Sequence, residues 1–154
     1  MARPPRLPRF SYRGCYRYLL TFLTIHRSRL FEDPAAVQQA FEQIHRTAII
    51  ERFAILAYCF MPDHLHLVVA GLSFESDLKR FAKLAKQRSG AAHARTRTGR
   101  LWQSGYWDTS LRGSADVRQA MKYVMSNPVK AGLVTPGGTY PFAADDAAAL
   151  GELE

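Results

Sequence analysis

Two histidines stand two residues apart in "MPDHLHLVVAG", residues 61–71. The run around them is apolar and β-prone, a setting where imidazole has no natural packing role. Side chains alternate along a strand, so His64 and His66 share one face while Leu65, Leu67 and Val69 take the other. Spaced about 7 Å along that face, two neutral imidazoles can converge on one ion. Alone, H-x-H also describes structural or surface histidines. A zinc hydrolase would add Asp or His ligands close by, as in H-x-H-x-D-H, and the residues that follow here are apolar.

A second group lies near the C-terminus. In "SADVRQAMKYVMSNPV", Val117, Ala120, Met121 and Val124 recur at helical spacing and predict a buried stripe. Gln119, Tyr123 and Asn127 form a polar row beside it, each four residues after the last. A lone tyrosine there is a boundary residue with its hydroxyl in water. With the histidines it closes a set: two imidazoles on a strand, a carboxamide oxygen on a helix, and a phenol between them.

These residues need elements to hold them. "YRYLLTFLTIH" (16–26) reads as a strand, and Asp33-Pro34 opens a helix that runs to about Glu51 with Val37, Phe41 and Ile44 inward. "FAILAYCFM" (53–61) and "HLHLVVAG" (64–71) make an antiparallel hairpin about Pro62-Asp63. Ser73 or Ser76 caps the next helix, whose apolar stripe is Leu78, Phe81, Ala82 and Ala85. "SGAAHARTRTGR" (89–100) shows no periodicity and reads as a mobile basic loop. "YWDTSLR" (106–112) is a fourth strand. Ser114 caps a last helix that ends near Asn127-Pro128. The remainder is tail, with "TPGGTYP" as a turn. This order predicts an α+β, ferredoxin-like split βαβ: an antiparallel sheet with helices on one face and an extra C-terminal helix carrying the candidate tyrosine. One domain spans 1–154, with a flexible basic arm at 1–12 and a C-terminal tail at 143–154.

The chain has 154 residues, is 47% hydrophobic and 12% aromatic, and is long enough to bury a core. No stretch approaches the roughly 18 apolar residues of a membrane span. Cys15 and Cys59 stand far apart, which excludes a zinc finger of the usual spacing and fits a reducing cytoplasm. The net charge of +8 is unevenly placed. Residues 1–31 carry seven arginines and residues 78–107 eight basic side chains, with no acid in either block. Such blocks suit a polyanion, nucleic acid foremost; a merely basic surface is the alternative. Lys79, Lys83 and Lys86 form a ridge that, with Arg95, Arg97 and Arg100, could neutralise a phosphate backbone. Trp102 and Tyr106 could stack unpaired bases. Arg3, Arg6 and Arg9 suit the groove of a hairpin stem.

"MPDHLHLVV", "GRLWQSGYWD" and "YVMSNPVKAGLV", in this order, resemble the REP-associated tyrosine transposases, relatives of the single-tyrosine HUH transposases of small insertion sequences. The resemblance covers roughly residues 10–142. It implies a metal-dependent endonuclease and strand transferase that cuts single-stranded DNA beside a REP-like hairpin through a 5′-phosphotyrosine. By position it makes His64 and His66 the metal-binding pair, Tyr123 the nucleophile and Asn127 the third ligand. Met125 stands where many relatives carry histidine. The implied ion is Mg²⁺ or Mn²⁺, and the partner is hairpin DNA in the cytoplasm, at the nucleoid, with no membrane involved. The protein would act as a monomer or a homodimer. Two other readings stay open: a catalytically decayed nucleic-acid-binding module of the same fold, and an RNA-processing metal hydrolase on that scaffold.

Overall fold

The structure is a computed structural model and describes residues 11–153. Its elements are β1 (Arg17–Leu23), α1 (Pro34–Ile50), β2 (Phe53–Met61), β3 (His64–Gly71), α2 (Leu78–Thr96), β4 (Trp107–Leu111), α3 (Gly113–Lys130), β5 (Ala143–Asp145) and α4 (Ala147–Leu153). The strands form one antiparallel sheet in the order β4-β1-β3-β2-β5. The first four strands with α1 and α2 are the expected split βαβ.

Period-two alternation sorts the side chains into two cores. Tyr18, Leu20 and Phe22 of β1 and Leu65, Leu67 and Val69 of β3 pack under α1 and α2. Val68 and Ala70 of β3 face the other way with Cys59 and Met61 of β2, against α3 and α4. A bulge in β2 between Ile55 and Ala57 brings Leu56 and Ala57 both into this second core. His66 pairs in register with Thr21 and Cys59, and His64 with Leu23 and Met61. Both histidines therefore lie on the α3 side.

The helix ends follow local chemistry. Asp33 caps α1, its Oδ1 accepting from the Ala35 amide at 3.0 Å, and Pro34 takes the first helical position. Asp77, rather than Ser73 or Ser76, caps α2. The Ser76 hydroxyl is buried and donates to the Arg52 carbonyl while accepting from the Leu72 and Ser73 amides. Gly71 is needed where two strands of backbone cross: a Cβ there would lie 2.1 Å from the Gly14 carbonyl oxygen.

Three expectations are corrected. Residues 89–96 are not loop but the last turns of α2; polar side chains hide the periodicity because they bond inside the protein. The Ser89 hydroxyl donates to the Ala85 carbonyl and accepts from the Trp102 indole, and Thr96 donates to Gln39. α3 does not start on a serine cap or stop at Asn127-Pro128: it follows Arg112 and carries Pro128 inside it. It ends where Leu133 N–H reaches the Pro128 carbonyl and Gly132 N–H the Val129 carbonyl, with Gly132 at φ +73°. The tail is structured as well. β5 pairs with β2, Leu150 of α4 is buried, and Arg17 donates to the Leu153 carbonyl.

Candidate active site

β3 presents its histidines at the edge of the second core, and α3 crosses over them. The His64 and His66 rings stand 4.7 Å apart, centroid to centroid, and are nearly perpendicular. The Tyr123 ring lies 5.5 Å from His66. Helical spacing explains how α3 does this: Ala120, Met121 and Val124 are buried against the sheet, leaving Tyr123 at the margin, 43% exposed. Asn127 stands one turn on. Its Nδ2 donates to the Tyr123 carbonyl at 2.8 Å, which leaves Oδ1 as the amide's acceptor. Lys130 sets its ammonium 5.5 Å from the centre of the Tyr123 ring.

Each imidazole is held through Nδ1. His64 Nδ1 meets Asp63 Oδ1 and His66 Nδ1 meets Thr21 Oγ1, both at 2.8 Å. Nε2 is the other ring nitrogen of each, and an outer partner on Nδ1 is the arrangement that would orient a histidine to bind a metal through Nε2. Burial lowers the pKa of His66 to about 4, with the charge of His64 adding to it. His66 is neutral at pH 7, as a ligand must be. Burial pushes the Asp63 carboxyl up, but the hydrogen bond and charge of His64 and the Arg27 guanidinium outweigh it and leave the carboxyl below its usual range. Arg27 contacts Asp63 Oδ2 at 2.9 Å. Among the described residues no three His, Cys, Asp or Glu side chains gather around a point. The donor types in this region, two imidazole nitrogens on β3 and an amide oxygen one turn beyond Tyr123, are of a kind that could hold a divalent cation.

Thr21, Asp63 and Arg27 escaped sequence reasoning. Asp63 reads as a turn residue beside a proline, although a carboxylate next to a candidate ligand is a usable signal. Thr21 becomes visible only once the β1–β3 register is known.

The basic and aromatic candidates divide. Trp102 is 5% exposed, packed on Phe22 and Phe31 with its indole N–H on Ser89, so the expectation that it stacks on bases is corrected: it is a core residue. Tyr106 is half-buried, edge-on to Phe22. The Lys86 ammonium bonds the Gln103 and Gly105 carbonyls, and Arg97 binds Asp33 and Gln39. Those two cations serve the fold. Lys79 lies over the Tyr12 ring, Lys83, Arg95 and Arg100 are exposed, and Arg3, Arg6 and Arg9 lie outside the described residues. α2 packs on the sheet face opposite α3, so Lys79 and Lys83 sit across the sheet from the histidines.

The family described as "Transposase IS200 like" matches residues 13–127, a span that includes His64, His66, Tyr123 and Asn127. The chain belongs to this transposase family. Over 107 residues it is 29% identical to the REP-associated tyrosine transposase of Escherichia coli (strain K12), covering 66% of this chain and 62% of that relative's length. A Haemophilus influenzae protein of the same family name is 23% identical over 145 residues, 87% of this chain and 81% of its own. A REP-associated tyrosine transposase solved bound to a REP hairpin superposes with a TM-score of 0.75 at 23% identity, over 91% of this chain and 82% of that one. The fold is thus the transposase fold, α+β with a five-stranded antiparallel sheet. No helix among the described residues is long and apolar enough to cross a membrane.

Proposed function

We propose that this transposase-family protein is a metal-dependent endonuclease and strand transferase of single-stranded DNA beside a hairpin, with Tyr123 as nucleophile. The meeting of Tyr123 with His66 across the gap between α3 and β3 carries the reading. Membership of the family and the likeness to a hairpin-bound relative support hairpin DNA as the substrate class.

His64 Nε2, His66 Nε2 and the Asn127 amide oxygen would hold Mg²⁺ or Mn²⁺, the nitrogen-rich set favouring Mn²⁺. When bound, the ion supplies Lewis-acid polarisation of the phosphate. Tyr123, exposed on one side, gives up its phenolic proton and attacks phosphorus in line. The Tyr123 Oη–P bond forms as the P–O3′ bond breaks, and the departing 3′ oxygen takes up a proton. The Lys130 ammonium beside the ring offsets negative charge gathering there. The resulting 5′-phosphotyrosine keeps the phosphodiester energy, so a second strand's 3′-OH can be joined without a nucleotide cofactor.

Incubating the protein and Mn²⁺ with hairpin DNA bearing a single-stranded flank should yield an adduct that survives denaturation. Chelator should abolish the adduct while a gel shift persists. Cleavage without an adduct would favour the hydrolase reading, and a shift without cleavage the binding module.

A further inference from the structure

The chain leaves β1 through a turn, residues 24–28, with an uncommon backbone. Among the described residues three that are not glycine have positive φ, and two of them stand side by side here: His26 at +53° and Arg27 at +54°. Side chains disfavour that left-handed conformation, and residues held in it gather where a function needs them. The turn is firmly fixed against the start of β3. Thr24 is buried, and its N–H and hydroxyl both bond the Asp63 carbonyl, at 3.1 and 3.0 Å. Ile25 N–H bonds the Leu101 carbonyl, and Arg27 N–H bonds the Thr24 carbonyl.

This conformation aims one side chain. Arg27 reaches back to Asp63, with Nε at 3.1 Å and Nη2 at 2.9 Å from Oδ2. Both nitrogens fall on the same oxygen, so Oδ1 is left to His64, whose Nδ1 it meets at 2.8 Å. A carboxylate only accepts, so Nδ1 is the donor of that bond. The bond of His66 makes no such choice, because the Thr21 hydroxyl can donate as well as accept. Stability does not account for the Arg27–Asp63 pair. Its side chains are 45% and 26% exposed, and pairs so placed contribute little.

We infer that Arg27 is a positioning residue for His64: through Asp63 it keeps the imidazole proton on Nδ1 and leaves Nε2 bare. Arg27 itself touches neither histidine. Its guanidinium fixes which carboxylate oxygen faces the ring, and the ring's tautomer follows. The left-handed pair at 26–27 turns the side chain back onto Asp63. The use of that bare nitrogen rests on the proposed function, whereas the tautomer can be read with no metal present.

The first measurement is therefore made on the metal-free protein. Long-range ¹H–¹⁵N correlation spectra at about pH 8, above the ordinary imidazole range, report each ring's tautomer, with His64→Gln to assign the signals. His64 should carry its proton on Nδ1 in the wild type and exchange between both nitrogens in Arg27→Met. Arg27→Lys, which can still place a cation on Oδ2, should restore much of the wild-type spectrum. His26→Gly accepts the left-handed turn without strain, so it should melt no lower than wild type and leave the tautomer unchanged. The second measurement is calorimetric titration with Mn²⁺, where Arg27→Met should lose roughly 10–100-fold in affinity and Arg27→Lys less. A single Nδ1–H tautomer in Arg27→Met would overturn the inference. So would a His26→Gly protein that loses the tautomer while Arg27→Met keeps it. A wild type that takes up no Mn²⁺ would overturn the proposed metal chemistry, and the metal-free spectra would still decide the role of Arg27.

Discussion

A histidine has two ring nitrogens, and what one of them bonds decides what the other can do. Here Thr21 and Asp63 occupy Nδ1 of His66 and His64. Thr21→Val keeps the shape of the β1 side chain but removes the oxygen that fixes the His66 ring. Its expected effect is a loss of Mn²⁺ affinity of roughly 10–100-fold, the usual cost of deleting an outer partner of a ligand histidine. Calorimetric titration of Mn²⁺ into the DNA-free protein reads this without reference to activity. Unchanged affinity would mean that Thr21 only packs. The pairing of the histidines and the approach of Tyr123 to His66 were legible from residue type and spacing because each lies on a regular element. Thr21 was not, since its partner is 45 residues away and is found only through strand pairing.

At the scale of elements, β2 and β3 follow the apolar runs to the residue, because alternation and a Pro-Asp turn leave no other register. The errors fall where tertiary bonds outweigh local signals. α2 runs through 89–96 because Ser89 and Thr96 find partners on Ala85, Trp102 and Gln39. α3 passes Pro128, whose signal to stop is strong in isolation, and is closed instead by Gly132. Nothing lies within 4 Å of a Cβ built at Gly132, so a substitution there meets a backbone cost alone. Gly132→Ala should cost about 1 kcal/mol in urea unfolding, and Gly132→Asn less, because asparagine tolerates that conformation. Equal stability of all three proteins would remove the glycine's role in ending the helix that carries Tyr123.

For the whole molecule, two cores on opposite faces of one sheet make a different prediction for each cysteine. Cys15 is exposed and Cys59 is buried in the second core, where burial pushes its thiol up to about 12. A thiol-disulfide reagent should find one reactive cysteine in the folded protein and two in denaturant, at pH 7 and at pH 9 alike. The sign of the pH effect follows. Above about 9, the ordinary value, the unfolded chain gives up the Cys59 proton and the folded one does not, so stability falls as pH rises further. Two fast-reacting thiols at pH 7 would show that α3 and α4 do not cover the sheet as described. The charge pattern was legible as a footprint for a polyanion, but its detail was not. Arg80, Arg97 and Arg13 each meet an acid from outside their own acid-free block, in Glu51, Asp33 and Asp77.

The central claim is that Tyr123, and no other tyrosine, becomes joined to DNA. Six others are present: Tyr12, Tyr16, Tyr18, Tyr58, Tyr106 and Tyr140. The most direct measurement is to isolate the DNA–protein adduct, digest it, and locate the modified tyrosine by mass spectrometry, with Tyr123→Phe and Tyr106→Phe in parallel. The modification should map to Tyr123. Tyr106→Phe should still form adduct, and Tyr123→Phe should form none while unfolding within about 1 kcal/mol of wild type, since only one partly exposed hydroxyl is removed. An adduct that persists in Tyr123→Phe, or a modification that maps to Tyr106, would contradict the account and move the nucleophile away from α3.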